Sequence, residues 1–151
     1  MIKRKTAYRK LTTILLSGLL LSPLTQAADD ISGTWTTIDD ETGKPKAVVL
    51  IEEKNGVYEG RIEKTLIPPP NPLCDKCEGP RHNQPILGLT FLNGLKRNGQ
   101  SYQDGEILDP KNGKVYRAKA TLSSDGQKLE VRGFIGISLI GRSQTWLRGE
   151  Q

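Results

Sequence analysis

Histidine is almost missing from this sequence, with His82 alone, and cysteine is confined to Cys74 and Cys77. A structural zinc site takes four ligands, so one here would need both thiolates, His82, and then Asp75 or Glu78. A c-type haem site requires histidine directly after a C-x-x-C pair, and Glu78 stands there instead. There is no Gly-x-Ser-x-Gly elbow, no Walker loop and no paired-histidine motif. The recognisable hydrolase, nucleotide-binding and metalloprotease signatures are thereby excluded, and neither a metal nor a cofactor is expected. Helical periodicity is lacking too.

Long apolar runs are scarce. One, over 11–21, follows Lys3, Arg4, Lys5, Arg9 and Lys10 and precedes Ser22-Pro23 and Thr25-Gln26-Ala27. A basic head, a short apolar core and small residues at a cut site predict a secretory signal peptide over 1–27. The run is too short to span a bilayer comfortably. Cleavage after Ala27 leaves 28–151 as a single domain. No cysteine lies near the cut to carry a lipid, so a soluble periplasmic or secreted protein is expected. Charge changes with the cut. The whole chain has 22 basic and 17 acidic residues, a net +5, but five of the basic ones lie in the leader and none of the acidic ones do. The exported chain is therefore formally neutral, which removes the nucleic-acid reading that a net positive charge would invite.

What the rest of the chain does have is hairpin signals. Asn55-Gly56, Asn98-Gly99, Asn112-Gly113 and Asp125-Gly126 each separate alternating segments. These dipeptides tolerate the positive φ angles of two-residue turns. Eight strands are predicted, at 33–38, 46–54, 57–66, 86–97, 101–108, 114–122, 127–135 and 143–149. Tyr58, Gly60 and Ile62 share one face of their strand, as do Tyr116, Ala118, Ala120 and Leu122, and Leu129, Val131, Gly133 and Ile135. One dry and one wet face per strand predicts an antiparallel barrel or sandwich. The segment 86–95 is apolar on both faces, and Asn93-Gly94 within it suggests a bulge.

Between 67 and 85 the rhythm breaks. Pro68, Pro69, Pro70, Pro72, Pro80 and Pro85 exclude a central strand there, leaving a long proline-rich loop between strands 3 and 4. In an exported protein Cys74 and Cys77 read as a disulfide tying that loop. The alternative, a reactive thiol, lacks a following helix to stabilise a thiolate. His82 reads as a solvated loop residue rather than a base. Asp104, Glu106 and Asp109 read as turn and surface carboxylates rather than an acid–base pair, with Asp109 bonding turn amides.

Gly33-Thr34-Trp35 opens the first strand and Trp146-Leu147-Arg148 closes the last. This resembles the lipocalin and wider calycin pattern, in which the Trp plugs one end of an eight-stranded up-and-down barrel and an Arg of the final strand packs across it. The match extends through Asn55-Gly56-x-Tyr58-x-Gly60, Cys74-x-x-Cys77, Asp109-Pro110-x-x-Gly113-Lys114-x-Tyr116, Arg132-Gly133-Phe134-x-Gly136 and Gly141-Arg142-x-x-Thr145-Trp146-x-Arg148. Together these motifs look like the bacterial secreted family catalogued as domain of unknown function 2147. The resemblance implies an all-β, lipocalin-like barrel in the cell envelope, and no settled activity.

An eight-stranded barrel is either filled by side chains or holds one small ligand. The leading expectation is a monomeric, non-enzymatic binder of a small apolar or amphipathic molecule, walled by Tyr58, Ile62, Phe91, Tyr116 and Leu122, with the loop 67–85 as a lid. Trp35, Trp146 and Arg148 are expected to pack at one barrel end, with Arg142 as the competitor for the arginine's place. The second expectation is a solid barrel that contacts an envelope protein through the proline-rich loop and exposed Phe134 and Leu147. A thiol-redox role for Cys74 and Cys77 is third.

Overall fold

The computed structural model describes residues 30–149, so the expected leader and cut site lie outside the described residues. Eight strands run in order: β1 Gly33–Ile38, β2 Pro45–Lys54, β3 Val57–Thr65, β4 Thr90–Asn98, β5 Ser101–Asp109, β6 Lys114–Leu122, β7 Lys128–Phe134 and β8 Gly141–Arg148. Each pairs antiparallel with its sequence neighbour, and β8 returns to β1 to close the barrel. The expected up-and-down lipocalin-like barrel is therefore the observed fold. A single 3-10 turn, Gly79–Arg81, interrupts the long loop. Among the described residues no helix is long and apolar enough to cross a membrane.

Turn chemistry makes the two ends of the barrel different. Asn55 and Gly56 both take positive φ, 55° and 81°, in the tight β2–β3 connection. Gly99 and Gly126 do the same service between β4 and β5 and between β6 and β7. That end is drawn shut. The opposite end carries the connections 39–44, 66–89, 110–113 and 135–140, of which only the third is short, and it stands open.

At the shut end the core is solid. Ile51, Leu92, Leu95, Tyr102, Ala120 and Leu129 are all buried there. Tyr58 and Tyr102 meet edge to face with ring centroids 5.0 Å apart. Large apolar side chains of this kind each stabilise the fold by about 1.5–3 kcal/mol. Two irregularities make the fit possible. Gly94 and Asp104 have φ of 79° and 62°, and the register slips both between β3 and β4 and between β5 and β6. The bends bring Gly105 over Leu95, where an added Cβ would lie 2.6 Å from the leucine Cδ2. The expected bulge at Asn93-Gly94 is thus half of a paired distortion.

Three expectations need correction. The strand predicted over 86–97 begins only at Thr90, because Pro85 and Gly88 (φ 84°) bend the preceding run. Ile135 was expected inward, but β7 ends at Phe134 and Ile135 is exposed. Phe134, expected on the outside, is buried beneath the Arg117 guanidinium at 5.4 Å. Leu147 is exposed as expected.

Candidate functional site

The closed end is built around β1 and β8. Trp35 pairs with Arg148 in the ladder, and the guanidinium carbon lies 4.2 Å from the indole centroid. Arg148 donates three hydrogen bonds to backbone carbonyls: Nε to Gly126 (2.6 Å), Nη1 to Ser32 (2.9 Å) and Nη2 to Asp30 (2.8 Å). The Trp35 indole N–H donates to the Ile31 carbonyl at 2.9 Å. Four carbonyls of irregular backbone are satisfied by two side chains. Burial lowers the Arg148 pKa from the ordinary arginine value, opposed by Asp30 and Tyr102, yet arginine stays charged throughout the accessible range.

The open end holds a cleft of about 1080 Å3. Val49, Ile62, Phe91, Ile107, Val131 and Trp146 supply its apolar wall. Inside it, buried Thr37 donates from Oγ1 to the Ala47 carbonyl at 3.4 Å. Of the wall expected from the sequence, Ile62, Phe91 and Tyr116 line this cleft. Tyr58 and Leu122 do not; they belong to the buried core outside it. Trp146 also departs from its expected place. It lies in the cleft against Phe91, ring centroids 5.8 Å apart, rather than at the sealed end with Trp35. Val131, Ile107 and Trp146 were missed as wall residues, although the alternation in β7 already turned Val131 inward.

The rim is polar, and part of it is self-satisfied. Arg142 pairs with Asp40, which also accepts from Gln144 Nε2 at 2.9 Å. Arg142 is thereby engaged at the rim and plays no part in the Trp35 stack. Asp39 accepts hydrogen bonds from the Thr42 hydroxyl and amide, which hold its pKa below the usual carboxylate value, with Lys46 at 3.5 Å adding to the effect.

Pro68, Pro69, Pro70, Asn71 and Leu73 of the long loop form one side of the mouth. Cys74 and Cys77 are joined as a disulfide and are both buried. The loop is pinned by a bridge between Leu73 and Pro85 and by bonds from the Cys74 amide to the Gln84 carbonyl and from the Ile86 amide to the Pro72 carbonyl. Both His82 ring nitrogens are engaged, Nδ1 with the Cys77 carbonyl at 2.9 Å and Nε2 with Asn83 Nδ2 at 3.0 Å. Asp109 caps its own turn, accepting from the Lys111 amide, and Asp104 and Glu106 are exposed. No nucleophile–base pair emerges from these contacts.

Fold and cleft together define the class: a lipocalin-like barrel, sealed at one end and hollow at the other. The chain belongs to the family described as uncharacterized proteins conserved in bacteria (DUF2147), whose model matches residues 33–148. Its fold is similar to that of HP1028 from Helicobacter pylori, a protein described as belonging to the lipocalin family. That likeness has a TM-score of 0.71 at 22% identity, over 80% of this chain and 84% of the other. The comparison with curated proteins found no match.

Proposed function

We propose that the protein is exported to the cell envelope, where it binds one small, largely apolar molecule in the cleft and performs no reaction on it. The observation that carries this reading is the cleft itself: an apolar wall around about 1080 Å3, ending on Trp146 and Phe91. Ligand sites are concave, mainly apolar and marked by a few polar groups. Here Thr37 and Tyr116 stand among the aliphatic groups, and the lining also carries charged side chains of both signs, Lys46, Lys76, Lys111 and Arg142 with Asp39, Glu41, Asp75 and Asp109. Arg142 is held by Asp40, and Arg148 is committed to carbonyls at the far end. Recognition of a ligand carboxylate by either arginine is therefore disfavoured, and the apolar wall carries the fit. The basic head and apolar core of residues 1–27 support export.

Titration with a dansylated fatty acid and with a neutral dansyl alkane tests this. Saturable one-to-one binding of at least one of the two probes is expected, weakened about tenfold by Val131→Phe or Ala47→Phe, each of which adds a ring to the open volume. The absence of saturable binding of either probe, together with a clean apo mass for the protein extracted from its own envelope, would refute the reading. N-terminal sequencing of that extracted protein tests cleavage after Ala27.

A further inference from the structure

The connection between β7 and β8 presents four aliphatic side chains to water. Ile135, Ile137, Leu139 and Ile140 are 63%, 60%, 86% and 68% exposed. Hairpin connections are ordinarily polar, and a contiguous exposed apolar patch marks a contact surface. The open cleft lies beside this turn, and Ile135 and Ile140 already line its edge. The turn nevertheless does not fold inward. The Ile135 amide bonds the Ile140 carbonyl at 3.3 Å and the Ile140 amide bonds the Ile137 carbonyl at 3.1 Å. Arg132 donates from Nε to the Ser138 carbonyl (2.7 Å) and from Nη2 to the Leu139 carbonyl (3.2 Å). Arg117 lies over Phe134 and donates to the Gly136 carbonyl at 3.4 Å. The aliphatic tip is thus held up on two guanidinium groups.

Those two arginines decide what the tip meets. Neither makes an ion pair among the described residues, so both charges remain available to an anionic partner. Across the mouth, Ile67 and Leu73 are also exposed and extend the apolar rim. Aliphatic groups projecting beyond a collar of guanidinium charge match the layering of a bilayer surface, with acyl chains beneath anionic phosphates. We propose that the open end of the barrel docks on an anionic lipid surface. The turn 135–140 enters the top of the acyl layer and Arg117 and Arg132 lie at the phosphates. The cleft mouth then faces lipid rather than water. This goes beyond ligand binding, since the contact needs no occupant in the cleft.

The test is vesicle co-sedimentation of the cell-processed protein, with no ligand added. Phosphatidylglycerol–phosphatidylethanolamine vesicles are compared with pure phosphatidylcholine ones, at low and high salt. Binding at least about tenfold tighter to the anionic vesicles is expected, weakening with salt. The double variant Ile137→Ser with Leu139→Ser should lose at least about tenfold while keeping the same unfolding midpoint, because both side chains are already in water. Undiminished binding by that variant, or no binding to anionic vesicles at low salt, would overturn the proposal. Recovery of an envelope protein cross-linked through the turn, with no vesicle binding, would assign the surface to protein instead. Either failure leaves the probe titrations of the cleft untouched.

Discussion

Trp35 and Arg148 bring the two ends of the described chain together, the guanidinium carbon 4.2 Å from the indole centroid in the same ladder pair. The ladder between β1 and β8 has just two Cα pairs, Trp35 with Arg148 and Thr36 with Leu147. The Gly149 amide adds a bond to the Thr34 carbonyl at 2.8 Å, and the side-chain bonds of Arg148 reinforce this short seam. Arg148→Gln removes the stack and most of the three carbonyl bonds, and should lower stability by about 2–4 kcal/mol in denaturant unfolding. Arg148→Lys keeps the charge but loses the planar fork, and should recover less than half of that loss. Probe affinity in the cleft should change little in either, since Arg148 is not among the cleft's lining residues.

The sealed half also sets a pH dependence. Burial pushes the Tyr58 hydroxyl up to about 12, with Asp30 and Tyr102 adding to the rise. Tyr102, whose hydroxyl is buried, is raised as well, again chiefly by burial. An unfolded tyrosine ionises near 10. The folded pKa is the higher, so this contribution is complete below pH about 10 and is lost as pH rises towards about 12. Denaturation midpoints should fall across that window. Tyr58→Phe should flatten part of the fall, and an unchanged slope in that variant would remove Tyr58 from the account.

Much of this architecture is legible in the sequence because it is written in local chemistry. Asn55-Gly56 and Asp125-Gly126 announce turns by their tolerance of positive φ, and the alternation of Tyr116, Ala118, Ala120 and Leu122 announces which side is dry. Which half of the barrel is hollow is not local. It depends on connection lengths at opposite ends and on the packing of Leu95 against Gly105 across strands. Alternation therefore places Tyr58 and Leu122 on the wall, although both belong to the packed core outside the cleft. The shared motif groups Trp146 with Trp35, although Trp146 stands two positions before Arg148 in β8, on the side of the open end. Phe134 misled for another reason: it is the last residue of its strand, where alternation ceases to apply and Arg117 covers the ring.

The long loop depends on one close approach. Gly113 has φ of 73°, and a Cβ there would fall 1.8 Å from the Lys76 carbonyl oxygen. Gly113→Ala should therefore undock the segment 74–77, detected as new protease cutting within 66–89 while the barrel fragments stay intact. Replacing Cys74 and Cys77 by Ser should give a milder form of the same phenotype, with about 2 kcal/mol or less of stability lost because the covalent loop is short. In the unreduced protein both sulfurs should resist alkylation.

The barrel's two tryptophans report from different halves, and this allows one decisive measurement. Titration with a brominated fatty alcohol, whose heavy atoms quench an indole only on contact, should be followed in Trp35→Phe and in Trp146→Phe. Saturable quenching in Trp35→Phe, where Trp146 is the remaining reporter, and none in Trp146→Phe is the result predicted for a barrel hollow at one end and packed at the other. Equal quenching of both, or no saturable quenching of Trp146, would contradict it.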